Sequence, residues 1–507
     1  MSENGQHGSS IESTMPVMLD TQYCYRALQS RDARFDGKFF VGVSSTGIYC
    51  RPVCTAKTPH RPHCTFFPSA AAAEHAGFRP CLRCRPELAP GNSCVDAPRR
   101  IAHAAASLIE DGILEDSDLA ALSRRLGCTD RHLRRVFQEE FGVSPVGYAQ
   151  TQRLLLAKRL LTDTTLTVTD VAMASGFGSV RRFNALFQER YRMPPSRFRG
   201  DDAAPAAEPL PMRFELAYRP PLAWTTLLEF LANRAIAGVE QVADGAYRRT
   251  VALPHAGLVH RGWIEVRAAK RKSTLVVGMA PELARVVPAV LSRVKRLFDL
   301  TCDPEVVEDV LGPLAAANRG LRVPGAFDGF EMTVRAVLGQ QVTVKAATTL
   351  SGRLAQAFGE PLVTPWPALT HSFPSAARIA ALTVDDIARH GITGARARCI
   401  LALAAEMASG RVSLVPGVDV DATLDQLRAV PGIGEWTAQY IAMRALAWPD
   451  AFPHTDLGVM KALGLTSPAK VLAAAERWRP WRAYAVLHLW HLPPPTAPSW
   501  RDKPDEE

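Results

Sequence analysis

The sequence has no run of eighteen or more apolar residues, so no membrane-spanning helix is expected from it. Its first residues, Met1 to Thr14, lack an apolar centre, so a secretory signal is not expected either. It has little charge imbalance. The net charge is +9 and the pI about 9.1, an excess that favours a polyanionic partner without requiring one. It is not poor in apolar residues, at 47% against 21% charged, which excludes a disordered chain. Cysteine is scarce outside one region: seven of ten cysteines fall in the first 94 residues. In a chain without an export signal such clustering points to metal binding more than to disulfides.

With 507 residues the chain is too long for one ordinary domain. Composition divides it into four parts, namely 16–94, 95–200, 212–310 and 311–497, with a Pro/Ala linker at 201–211. The predicted fold class is multidomain and mainly α with α+β parts. It comprises a small cysteine-rich domain, a helical domain, a mixed α/β domain and an all-α domain. Arg248–Leu253, Leu258–Arg267 and Ser273–Val277 alternate apolar and polar residues and read as strands. The charged tail Arg501–Glu507 reads as frayed.

Three residues separate Cys50 from Cys54, twenty-six more follow, and two separate Cys81 from Cys84. Two close pairs separated by a loop match a tetrahedral four-cysteine zinc site, and most such sites are structural. The flanking residues point elsewhere. Thr46-Gly47-Ile48-Tyr49-Cys50-Arg51-Pro52-Val53-Cys54 and Phe78-Arg79-Pro80-Cys81-Leu82-Arg83-Cys84 closely resemble the amino-terminal domain of the Ada adaptive-response family. The resemblance implies one Zn2+ held by Cys50, Cys54, Cys81 and Cys84. It makes Cys50 the acceptor of a methyl group from a methylphosphotriester in DNA. A metal-held sulfur is a thiolate at neutral pH, which is the nucleophilic form. Four thiolates on one dication leave a charge of about −2. Methylation removes one negative charge, so repulsion of nearby phosphates falls and DNA affinity rises. Thr46 and Arg79 match DNA-contacting positions of that family, Lys57 keeps the charge of another, and Thr55 replaces a basic one. The other six cysteines have no motif around them and read as buried or free thiols.

Leu133–Pro145 and Phe183–Pro195 repeat one pattern fifty residues apart. In the first copy Leu119, Leu122 and Leu126 share one helix face. A turn and the helix from Thr129 follow, with Leu133, Val136 and Phe137 inward and Arg131, Arg134 and Arg135 outward. The second copy has Val168–Ala174, a turn, and a helix carrying Arg181, Arg182 and Asn184. Each is a helix-turn-helix pattern. Ala174-Ser175-Gly176-Phe177, Phe183 and Pro194-Pro195 resemble AraC-type transcription factors. That implies two helix-turn-helices joined by one helix at about 146–161, reading major-groove segments about 34 Å apart.

Leu427–Leu446 places Pro431-Gly432-Ile433-Gly434 between two helices, the second starting at Glu435. Gly432 and Gly434 let backbone N–H groups approach a phosphate, and the second helix favours the anion. About twenty residues on, Asp456 opens a further helix. This order resembles the helix-hairpin-helix DNA glycosylases, and within them AlkA-type 3-methyladenine glycosylases. The resemblance implies flipping of an alkylated purine into an aromatic pocket of Trp436, Tyr440, Phe230 and Trp490. Asp456 would stabilise the sugar cation or activate water, and Gln341 would fill the vacated stack. Leu457 replaces a pocket aromatic of that family. Bifunctional relatives have a lysine where Trp436 stands, so strand cleavage through a Schiff base is not expected.

The function expected is therefore methylphosphotriester repair, transcriptional activation and excision of bases such as 3-methyladenine and 7-methylguanine. The Pro-Cys-His-Arg motif of Ada's second acceptor domain is missing, so O6-methylguanine repair is not expected. Expected partners are double-stranded, alkylated and promoter DNA, with RNA polymerase implied by an activator role and no membrane. A cytoplasmic, nucleoid-associated bacterial monomer is the expected state. The alternative is a non-enzymatic AraC-type transcription factor with structural zinc and a glycosylase-like DNA clamp.

Overall fold

A computed structural model describes residues 21–90, 97–116, 118–164, 166–198, 211–414 and 420–492. The linker from 201 to 210, the charged tail and Cys94 lie outside them.

The amino-terminal module is a four-stranded sheet of β1 (Phe40–Val43), β2 (Ile48–Cys50), β3 (Cys64–Phe67) and β4 (Arg79–Pro80), in the order β3-β1-β2-β4. β2 and β4 run parallel, with Ile48 opposite Arg79, and that pairing carries the second cysteine pair back to the first. Ser69 caps the helix Ala70–His75 by accepting from the Ala72 N–H at 3.0 Å.

Both helix-turn-helix units form as the periodicity predicts. Leu119–Arg125 precedes Asp130–Phe141, and Val168–Ala174 precedes Val180–Tyr191. Thr129, Thr167 and Ser179 cap their helices by accepting backbone N–H groups. The joining helix runs Pro145–Asp163, a little longer than expected, because Ser144 caps it and Pro145 fits its first turn. Leu133, Val136, Phe137, Phe183 and Phe187 are buried, while Arg131, Arg134, Arg135, Arg181 and Arg182 are exposed.

The mixed region forms an antiparallel five-stranded sheet in the order β5-β9-β8-β7-β6. Its strands are β5 (Met212–Ala217), β6 (Glu240–Ala243), β7 (Ala246–His255), β8 (Leu258–Ala268) and β9 (Thr274–Met279). The three expected strands are β7, β8 and β9. β5 and β6 are additional. From Pro304 onward every element among the described residues is a helix, with loops between them.

The cores do not respect the four compositional parts. Ala71 and Ala72 of the amino-terminal module share a core with the first helix-turn-helix. Phe183 and Phe187 of the second share one with Leu283 and Val287 beyond the linker. The joining helix is the hub. Lys158 on it is buried against Glu87, Nζ to Oε2 2.8 Å, and reaches the carbonyl of Cys81 at 3.5 Å. Across the linker, Lys295 pairs with Glu110 at 3.3 Å and Arg296 with Asp111 at 3.1 Å.

Candidate metal centre and base-binding cleft

The sulfurs of Cys50, Cys54, Cys81 and Cys84 all lie within 4.8 Å of one another, with Cys54 and Cys81 buried and Cys50 and Cys84 half-buried. Four ligands at about 2.3 Å from zinc stand about 3.8 Å apart, so the cluster fits the ion. Four thiolates packed this closely repel one another, and a divalent cation among them lets all four ionise. Arg51 is buried beside the cluster, its Nε donating to Asp36 at 2.8 Å and its backbone N–H to the Cys84 sulfur at 3.4 Å.

Thr46 and Arg79 enter β2 and β4 side by side, and the Arg79 N–H donates to the Gly47 carbonyl at 2.9 Å. Both line a groove of about 340 Å³ that Arg190 and Arg192 close from the end of the second recognition helix. Lys57 is exposed on the turn after Cys54 and lies outside that groove, and Thr55 is exposed beside it.

The hairpin turn sits between helices Val420–Ala429 and Glu435–Arg444. Gly432 has φ +95°, a left-handed conformation costly to other residues, and a Cβ there would stand 3.1 Å from that of Cys399. Gly434 caps the following helix with no side chain, leaving its first N–H groups open to an anion. Gln340, which sequence reasoning passed over, donates to the Gly432 carbonyl at 2.8 Å and to Thr437 Oγ1 at 3.0 Å. It thereby ties the hairpin to the loop carrying Gln341, which is exposed with φ +55°.

Behind this turn lies a cleft of about 580 Å³ lined by Trp436, Tyr440, Asp456 and Trp490, within the range of small-molecule sites. Asp456 plays two parts at once. As a helix cap, its Oδ1 accepts from the Val459 N–H at 3.0 Å. Toward the cleft, Oδ2 accepts the Trp436 indole N–H and Oδ1 that of Trp490, each at 2.9 Å. Trp436 and Tyr440 stack at 5.2 Å with planes 8° apart. Phe230 is buried and is not among the lining residues. It stacks behind Trp490 at 6.4 Å, with the Arg234 guanidinium 3.7 Å and that of Arg444 5.0 Å from its ring centre. Leu457 is 71% exposed and outside the lining.

Three arginines also line this cleft, and the sequence reading did not find them. Arg335 is neutralised by Glu240 at 2.7 Å and Glu331 at 3.2 Å. Arg444 donates to the Tyr440 hydroxyl at 2.8 Å. Burial pushes the Tyr440 phenol up, but Arg444, Arg234 and Arg335 together outweigh it and hold it below the ordinary tyrosine value. The spacing of Trp436, Tyr440 and Arg444, four residues each, was a signal that one helix face carries all three.

A four-thiol metal site, paired helix-turn-helices and a hairpin beside an aromatic cleft together define a modular DNA-repair protein that also binds DNA as a regulator. Four family models match in chain order. They are the metal binding domain of Ada over 23–87 and a helix-turn-helix domain over 122–201, then the AlkA N-terminal domain over 213–328 and the HhH-GPD superfamily base excision DNA repair protein over 334–480. The Mycobacterium tuberculosis protein named probable bifunctional transcriptional activator/DNA repair enzyme AlkA is 39% identical over 485 residues, covering 93% of this chain and 96% of its own. DNA-3-methyladenine glycosylase 2 of Escherichia coli is 38% identical, covering 55% of this chain and 96% of its own. The bifunctional transcriptional activator/DNA repair enzyme AdaA of Bacillus subtilis is 30% identical, covering 38% and 88%. The chain belongs to the family of AlkA-type bifunctional transcriptional activator/DNA repair enzymes. Cys50, Cys54, Cys81 and Cys84 form a single zinc site.

Proposed function

We propose that this protein repairs alkylated DNA at two separate centres and turns the first repair event into transcription. The observation that carries the reading is Asp456, each of whose carboxylate oxygens is held by an indole N–H on the wall of the cleft. A mere helix cap needs one oxygen and no tryptophan.

At the first centre Cys50 attacks the methyl carbon of a methylphosphotriester. The S–C bond forms and the C–O bond breaks, its electron pair leaving an anionic phosphodiester. Bound zinc supplies the charge that keeps the sulfurs ionised. Cys50 suits the role because Cys54 and Cys81 are buried and Cys84, half-buried like Cys50, already accepts the Arg51 N–H. Thr46, Arg79 and Lys57 hold the backbone nearby. Arg131, Arg134, Arg135, Arg181 and Arg182 face the grooves, where arginine reads guanine or grips phosphate. Contact with RNA polymerase, a monomeric state and nucleoid association belong to this reading.

At the second centre Gly432 and Gly434 grip a phosphate, Gln341 enters the stack, and the flipped purine lies among Trp436, Tyr440 and Trp490, with Phe230 supporting them from behind. A cationic lesion such as 3-methyladenine or 7-methylguanine already has a weak glycosidic bond. Asp456 stabilises the sugar cation and accepts the proton of the attacking water. The test is chromatography of bases freed from methylated duplex DNA. Release of 3-methyladenine and 7-methylguanine is expected, and binding without release would leave only the DNA-clamp reading.

A further inference from the structure

The cleft that should receive a cationic base carries two guanidinium groups without a carboxylate partner among the described residues, those of Arg234 and Arg444. A cleft evolved only for cations gains nothing from this arrangement, because it repels them. Both groups act on one side chain. The Tyr440 hydroxyl oxygen accepts from Arg444 Nη1 at 2.8 Å, and the Arg234 charge helps to hold its phenol below the ordinary value. A phenol that accepts an N–H group still has its own O–H to give. No described protein group takes that proton, and Tyr440 lines the cleft.

We propose that Tyr440 is the proton donor to the departing base when the lesion is uncharged. The inference rests on the glycosylase reading above and assigns it a further catalytic residue. A cationic purine leaves as a neutral molecule and needs no proton. An uncharged purine would leave as an anion. As the bond from C1′ to N9 breaks, its electron pair passes to the base and the Tyr440 proton passes to a ring nitrogen of that base. The phenolate left behind sits against Arg444 and Arg234, which stabilise it. Water adds to C1′ and its proton goes to Asp456. Solvent restores the Tyr440 proton once the base departs. The tryptophans serve both kinds of lesion, whereas the Tyr440 hydroxyl serves one.

The test compares single-turnover release from duplexes carrying one hypoxanthine or one 7-methylguanine, in the full-length wild-type protein and in Tyr440→Phe. Phenylalanine keeps the ring that stacks on Trp436, so loss of stacking affects both lesions alike. Loss of the proton affects only hypoxanthine, by about 100-fold or more beyond any change for 7-methylguanine. Equal changes for the two lesions would overturn the assignment. So would wild-type protein that frees 7-methylguanine and no hypoxanthine. Wild-type protein that frees neither would instead defeat the glycosylase reading itself. Release of 7-methylguanine by the variant also reports that its cleft is folded.

Discussion

Trp490 donates its indole N–H to Asp456 Oδ1 over 2.9 Å, and the same oxygen caps the helix that Asp456 opens. One residue thus fixes both the local fold and the chemistry. Replacing Asp456 by Asn separates the two roles. Asn keeps the cap and the Trp490 contact through its one oxygen but sets its NH2 against the Trp436 indole N–H, so the melting temperature should fall modestly while the fold is kept. The negative charge is gone, so release of 7-methylguanine should fall by about 100-fold or more. Single-turnover assays and thermal melting on the same preparation check this, and unchanged release would remove Asp456 from the mechanism.

Gly458 makes the contact possible. A Cβ there would stand 3.0 Å from Asp456 Oδ1 and 3.0 Å from Trp490 Cδ1. Gly458→Ala should therefore weaken base release, by up to about 100-fold if the carboxylate is displaced. Alanine favours helix over glycine by about 1 kcal/mol, so stability should hold or rise. Activity and stability moving in opposite directions would identify the clash. A parallel loss of both would point to misfolding instead.

Lys158 and Glu87 join the zinc module to the helix between the two helix-turn-helices, with side chains 1% and 3% exposed. Lys158→Ala leaves Glu87 buried with Arg85, at 3.0 Å, as its remaining ion-pair partner. The cost should be about 3 kcal/mol in urea unfolding. Lys158→Met together with Glu87→Met should recover most of it, and the double-mutant cycle measures the coupling.

Glu74 gives a pH signal. It accepts from Tyr49 at 3.0 Å and from Tyr191 at 3.4 Å, yet loss of solvation pushes its carboxyl up to about 7 from an ordinary 4.5. Between those values the folded chain holds a proton that the unfolded chain has lost. Stability contributed by this group therefore falls as pH rises through that window and is constant above it. Glu74→Gln removes the dependence. Relative to wild type, the variant should gain about 2.5 kcal/mol between pH 5 and pH 8, read from urea midpoints. A constant difference across that range would contradict the assignment.

What the sequence made legible followed from spacing. The paired cysteines, the helical apolar periodicity and the capping residues Thr129 and Ser179 are local, and the structure forms those elements where they indicate. β1 is buried at all four positions, so it lacks the alternation that betrays a strand. β6 is too short and too polar to stand out. The relationships that cross modules were not legible. Lys158 looks like a solvated lysine until Glu87, seventy-one residues away, is seen against it. Trp436, Tyr440 and Arg444 share a readable spacing, but Arg335 and Arg234 reach the same cleft from about one hundred and about two hundred residues earlier. Phe230 shows the reverse case. Its match to a pocket aromatic was visible, but the arginines over its face were not.

Two electron-rich centres, the Cys50 thiolate and the Asp456 cleft, both act on alkylated DNA. The most direct measurement incubates the protein with methylated duplex DNA and analyses one sample twice, by peptide mapping and by chromatography of free bases. The expected result is one methyl group on Cys50 alone, together with free 3-methyladenine and 7-methylguanine. An unmodified Cys50, a methyl group on another cysteine, or DNA that keeps all its methylated purines would contradict it.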